Sequence, residues 1–73
     1  MRIVVCGAGR VGYSIARQLS REDHEVTVID YNAELIARIN DQLDVQAYFG
    51  HASHPSALEA ARAADADMLI AVT

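Results

Sequence analysis

With a single cysteine, the chain has no internal disulfide to staple it. Cys6 ends the apolar run Ile3-Val4-Val5-Cys6 rather than standing beside a base, so it reads as a core thiol in a reducing compartment. No apolar run approaches the roughly 18 residues of a membrane span. Met1-Arg2 leads straight into the first run without the small-residue cleavage site of a signal peptide. The expectation is a soluble, cytoplasmic protein without direct membrane insertion. Positive charge is also scarce: six Lys+Arg stand against ten Asp+Glu, for a net charge of −4, and they form no basic stripe. Nucleic acid is therefore excluded as a partner. At 73 residues there is room for one small domain, residues 1–73, with no linker or repeat. Apolar residues make up 52% of it, a globular rather than a disordered composition. A domain this small buries only about 60% of the surface its unfolded chain exposes, so its stability is expected to be marginal.

Glycine is sparse as well, and three of the four stand at 7, 9 and 12. Before them, Ile3 to Cys6 is too short for a helix and rich in β-branched residues, the signature of a strand buried on both faces. After them, Val11, Ile15, Ala16 and Leu19 recur at helical spacing, with Arg17, Gln18 and Arg21 on the other side. Val26 to Ile29 is a second strand ending at Asp30. Asn32 caps a second helix with apolar face Leu35, Ile36 and Ile39 and with Glu34 in its first turn. Asp44 to Gly50 alternates, with Val45, Ala47 and Phe49 on one face, and reads as a third strand. Pro55 opens a thin, alanine-rich third helix, and Met68 to Val72 is a fourth strand. Strands and helices alternate, which predicts an α/β fold with a parallel sheet and right-handed crossovers. In the dinucleotide-binding topology the strand order is 3-2-1-4, a Rossmann-like three-layer arrangement with the first two helices on one face and the third on the other.

That context gives meaning to Gly7-Ala8-Gly9-Arg10-Val11-Gly12, a G-x-G-x-x-G set between a strand and a helix. Gly7 permits the tight turn, Gly9 lets a pyrophosphate approach the backbone, and Gly12 lets the helix pack closely. The free N–H groups at the helix start, with the positive end of its dipole, attract phosphate. Asp30 ends the second strand 18 residues after Gly12, where a carboxylate accepts hydrogen bonds from an adenosine ribose and repels a 2′-phosphate. No arginine or lysine follows at 31 or 32, which favours NAD-type or other adenosine ligands over NADP. The plainer alternative is that the glycines only make a turn and Asp30 only caps a helix. Arg10 either reaches a phosphate or stays solvated.

Nothing in the sequence reads as catalytic. His51 and His54 sit in a loop and His24 in a turn, without metal-ligand spacing. Ser14 and Ser53 have no local base, and Asp65-Ala66-Asp67 reads as a solvated turn.

The stretches "VVCGAGRVGYSIARQL", "VTVID" and "YFGHASHPSALEAARAADADMLIAVT" resemble the N-terminal nucleotide-binding domain of the TrkA family, cytosolic regulators of bacterial potassium uptake, whose module is also called RCK or KTN. The resemblance spans essentially the whole chain. It implies that Gly7, Ala8, Gly9, Arg10, Val11 and Gly12 form the phosphate loop, that Asp30 takes the ribose and that Tyr31 stands beside the adenosine. It further implies that Gly50, His51 and Ala52 lie near the adenine and Thr73 at the mouth of the crevice. Many RCK domains carry aspartate at the position of His51, and histidine resembles the TrkA-type subset.

The implied ligands are NAD(H), or alternatively ATP or ADP, acting as regulators rather than substrates. The implied partner is a potassium-translocating membrane protein of the TrkH/TrkG type, reached at the inner face of the membrane by a homo-oligomer. Met1 stands close to the first strand, which favours a separate regulatory subunit over the tail of a channel. Family domains continue past Thr73 with further strands, so the chain is expected to be the first half of the sheet, with a fourth strand that invites self-association. The competing functional reading is the cofactor-binding half of an NAD-dependent oxidoreductase; a structural fragment with an empty site is the third.

Overall fold

β-branched runs near the start of the chain form the centre of its sheet. The computed structural model describes residues 1–50, 56, 59 and 65–72. Along the chain run β1 (Arg2–Cys6), α1 (Arg10–Arg21), β2 (Glu25–Asp30), α2 (Ala33–Gln42), β3 (Gln46–Phe49) and β4 (Met68–Ala71). All pairings are parallel, in the order β3-β2-β1-β4, as the sequence predicts. Of the helix predicted from Pro55 only Ser56 and Glu59 are described, both helical; the rest of it, with His51, Ala52, Ser53, His54 and Thr73, lies outside the described residues.

Alternation along each strand sorts the core into two layers. On one face Ile3, Val5, Val26 and Val28 pack beneath Ala16 of α1 and Ile39 of α2, so both helices cover the same side. On the other face Val4, Cys6 and Ile29 cluster with Tyr48 and Ala66. α2 starts as predicted, its cap Asn32 accepting hydrogen bonds at Oδ1 from the Glu34 and Leu35 N–H groups at 3.0 and 3.3 Å. The α1–β2 turn places Asp23 at φ 62°, a left-handed conformation that a short polar side chain tolerates.

Two expectations about burial are corrected. Val11 is 58% exposed, and α1 buries Gly12 and Ala16 instead. In the same turn it is Gly12 that faces inward, against Gly7 and Val72. Phe49 is 67% exposed because it ends an edge strand, although Val45 and Ala47 of its alternating set do pack on the core. In β4, Met68, Leu69 and Ala71 are exposed and Ile70 is half-buried. This agrees with the expectation that the fourth strand lies at the edge and invites self-association. No helix among the described residues is long and apolar enough to cross a membrane.

Candidate functional site

Three loops leave the carboxyl end of the sheet side by side, because the hydrogen-bond ladder continues one residue past the strands. Gly7 N–H donates to the Ile29 carbonyl at 2.8 Å, Gly50 N–H to the Asp30 carbonyl at 2.9 Å, and Val72 N–H to the Cys6 carbonyl at 3.0 Å. The row Gly50, Asp30, Gly7, Val72 therefore forms the rim of the crevice where open parallel sheets hold their ligands. A separate hollow of about 380 Å³ at the opposite end of the strands mixes Arg2 and His24 with Glu25 and Asp44. Arg2 there is already paired with Glu25 at 3.0 Å.

The three glycines of the motif differ in what surrounds them. Gly7 has φ +124°, which favours glycine, and a Cβ there would stand 3.0 Å from Val72 Cγ2. A Cβ on Gly12 would overlap the Gly7 carbonyl oxygen, so the first and third jobs of the motif are tied together: the helix packs against the loop that begins it. Around Gly9 a Cβ would meet nothing within 4 Å. That opening leaves free space beside the loop.

Gly9 is also the N-cap of α1, with no side chain to cap it. The first intrahelical bond runs from Tyr13 N–H to the Gly9 carbonyl at 2.8 Å. The N–H groups of Arg10, Val11 and Gly12 precede it and point out of the helix with the positive end of its dipole. Arg10 and Val11 are exposed. This is a set of donors suited to an anion.

Asp30 is half-buried at the centre of the rim. Its Oδ2 accepts from Ala8 N–H at 2.8 Å and its Oδ1 from Asn32 N–H at 2.7 Å. The carboxylate thus joins the glycine loop to the β2–α2 turn, and each oxygen keeps a lone pair for a further donor such as a ribose hydroxyl. Ala8 is 2% exposed and its N–H is taken by Asp30, so its place in the loop is structural. Beyond Asp30, Tyr31 and Phe49, both 67% exposed, flank a hollow of about 480 Å³ with Asn32, Ala33 and Glu34. Cys6 ends β1 beneath the loop, and burial pushes its thiol above the usual 9.0, which keeps it protonated and unreactive.

Of the predicted site residues, Gly7 to Gly12, Asp30, Tyr31 and Gly50 come together at this one rim; His51, Ala52 and Thr73 lie outside the described residues. Sequence reasoning missed the Ala8–Asp30 bond, the packing of Val72 against Gly7 and Gly12, and the exposure of Phe49 beside Tyr31. It also passed over Arg38, which α2 brings beside Gly9 and Arg10. Its spacing on α2 signals only that it is off the apolar face.

Comparison with known proteins gives a consistent result. The TrkA-N domain family matches residues 3–73. The Trk system potassium uptake protein TrkA of Azorhizobium caulinodans is 48% identical over all 73 residues, and that of Vibrio alginolyticus 45%. The chain spans 16% of the length of each of these relatives. A Trk system potassium uptake protein TrkA homolog of Pyrococcus abyssi is 36% identical, and the chain spans 32% of it. Among solved structures, the Kef CTD of Shewanella denitrificans in its AMP-bound form matches with a TM-score of 0.75 at 28% identity, over 94% of this chain and 40% of that one.

Proposed function

This chain belongs to the TrkA-N domain family, and on that premise we propose that it is the nucleotide-sensing domain of a regulator of potassium uptake. The observation that carries the reading is the rim itself: an uncapped helix start, a glycine with open space at its Cβ, and an anchored carboxylate meet at one edge of a parallel sheet. An adenine nucleotide satisfies all three. Its ribose hydroxyls donate to Asp30, its phosphate accepts from the N–H groups at residues 9 to 12, and its base lies toward Tyr31 and Gly50, with His51, Ala52 and Thr73 completing the contacts. The AMP-bound form of the Kef CTD supports an adenylate ligand. NAD(H), ATP and ADP all contain that unit.

Regulation follows from where the ligand would sit. It bridges loops that leave three different strands, so its arrival changes their relative positions and passes to a homo-oligomer docked on a potassium-translocating membrane protein of the TrkH/TrkG type. The chain, one domain over residues 1–73, acts there from the cytoplasmic side, and no residue is assigned a catalytic role.

Calorimetric titration with AMP, ADP, ATP, NAD and NADH tests the reading. Binding of at least one of them, weakened by Asp30→Ala, is expected. Absence of binding by all five overturns it. Oxidation of bound NADH on addition of a small carbonyl compound would support the oxidoreductase reading instead.

A further inference from the structure

β4 is held on the sheet chiefly at its two ends. Its middle offers little grip: it pairs with β1, no strand joins its other edge among the described residues, and Met68, Leu69 and Ala71 are exposed. At the amino end Arg2 and Asp67 make reciprocal hydrogen bonds. Arg2 N–H donates to Asp67 Oδ2 and Asp67 N–H donates to the Arg2 carbonyl, both at 2.8 Å. The Arg2 guanidinium also lies with Nη1 3.9 Å from Asp65 Oδ2, while its Nε donates to Glu25 Oε2 at 3.0 Å. Asp65-Ala66-Asp67 reads in the sequence as a solvated turn, and both aspartates are exposed, yet one arginine engages both.

At the carboxyl end Val72 N–H donates to the Cys6 carbonyl at 3.0 Å. Val72 Cγ2 stands 3.0 Å from where a Cβ on Gly7 would be and 3.3 Å from where one on Gly12 would be, so this side chain fills the space the two glycines leave. Asp67 and Val72 are five residues apart, about 16 Å at the rise of a strand. Side chains alternate between faces along a strand, so a slip of β4 by one residue at the Asp67 end would turn Val72 away from Gly7. The reciprocal bonds with Arg2 oppose that slip.

We propose that Asp67 is a positioning residue for the nucleotide site, acting from the opposite end of the sheet. By its bonds to Arg2 it fixes the register of β4; β4 fixes Val72; and Val72 fixes the turn at Gly7 and the approach of Gly12, on which the aim of the N–H groups at the start of α1 depends. The inference rests on the nucleotide reading above and goes beyond it, since Asp67 touches no part of the rim. The linkage runs both ways: a ligand that holds the glycine loop also holds β4, and with it the Asp67 end.

Titration of AMP, ADP, ATP, NAD and NADH into the chain, Asp67→Ala, Asp67→Asn and Glu25→Ala tests this, at a temperature where circular dichroism shows each variant folded. Glu25→Ala removes a carboxylate bound to the same arginine and leaves the Arg2–Asp67 bonds in place, so it controls for loss of charge at that end. Asp67→Ala is expected to bind every nucleotide that the unaltered chain binds about fivefold more weakly, within the range for residues that act on a site without touching its ligand. Asp67→Asn, whose Oδ1 still accepts from Arg2 N–H, and Glu25→Ala are expected to bind as the parent does. Unchanged affinity in Asp67→Ala overturns the inference, and so does an equal loss in Glu25→Ala. Amide hydrogen exchange of the unaltered chain gives a measurement that does not depend on any variant folding. Saturating nucleotide is expected to slow the Asp67 amide together with that of Val72, and to leave unchanged the Leu43 amide, which bonds to the Ile39 carbonyl at the end of α2, away from β4. Slowing of Val72 without Asp67, or of Asp67 and Leu43 alike, overturns the inference. If all five nucleotides fail to bind the unaltered chain, the nucleotide reading falls and takes this inference with it.

Discussion

Ala8 N–H donates to Asp30 Oδ2 at 2.8 Å, across 22 residues of chain, and the other oxygen of the same carboxylate accepts from Asn32 N–H at 2.7 Å. One side chain thus sets both the height of the glycine loop and the path of the turn into α2. Asp30→Ala leaves two backbone donors without their acceptor, one of them on a residue that is 2% exposed. The expected loss is about 1.5–3 kcal/mol of unfolding free energy, the worth of hydrogen bonds to a charged group. Urea unfolding of the variant measures it. Nucleotide affinity should fall in parallel, and unaltered stability would show that the loop holds its shape without Asp30.

Gly9 and Gly12 separate folding from binding. A Cβ at Gly12 overlaps the Gly7 carbonyl, so Gly12→Ala must displace α1 from the loop and is expected to unfold a domain of marginal stability. At Gly9 the same Cβ meets only open space. Gly9→Ala is expected to keep the circular dichroism spectrum and thermal midpoint of the parent, while nucleotide titration shows weakened binding because the methyl group faces the phosphate path. Loss of folding in Gly9→Ala would move that glycine from the ligand to the scaffold.

Much of this was legible in the sequence where the signal is local. The β-branched runs before Gly7 and Asp30, the Asn32 cap and the glycine spacing depend on neighbours within one element, and those positions behave as predicted. The strand order followed from the dinucleotide-binding topology that the glycine motif implies, and the single hand of the crossovers then puts α1 and α2 on one face. What was illegible depends on partners far apart in the chain. No local pattern joins Ala8 to Asp30 or sets Val72 against Gly7. Val11 fits the helical period and is exposed nonetheless, because periodicity reports a face and not which of its residues turns inward.

Removing the Asn32 cap gives a local test of α2. Asn32→Ala loses the acceptor of the Glu34 and Leu35 N–H groups, and a cost of about 1 kcal/mol is expected in urea unfolding.

Cys6 is 4% exposed, and its thiol is raised above 9.0 by burial. The folded protein therefore keeps a proton that the unfolded chain releases. The contribution of Cys6 to stability is fully present below about pH 9, the unfolded value, and is lost as pH rises through the folded one. Unfolding free energy of the parent should decline between neutral and alkaline pH more steeply than that of Cys6→Ala. Iodoacetamide should label Cys6 only under denaturant. Rapid labelling of the native chain would mean that the layer over β1 opens readily.

The edge of the sheet makes the last prediction. β4 pairs with β1 on one side, and on its other side no strand joins it among the described residues. Leu69 stands opposite Val4 and Met68 opposite Ile3, so the two point to opposite faces, and they are 52% and 47% exposed. Free backbone donors and acceptors flanked by apolar side chains on both faces form an edge that another strand can extend. The chain is therefore expected to self-associate as concentration rises, in sedimentation velocity runs across a dilution series. Leu69→Lys places a charge on that edge at a position already half in water, so it should shift the distribution to monomer without unfolding the chain. Ile70→Lys is the contrasting case: Ile70 packs on the core beneath the helices, and a charge there has no partner, so that variant should unfold. A parent chain that remains monomeric at every concentration would show that β4 closes the sheet by itself.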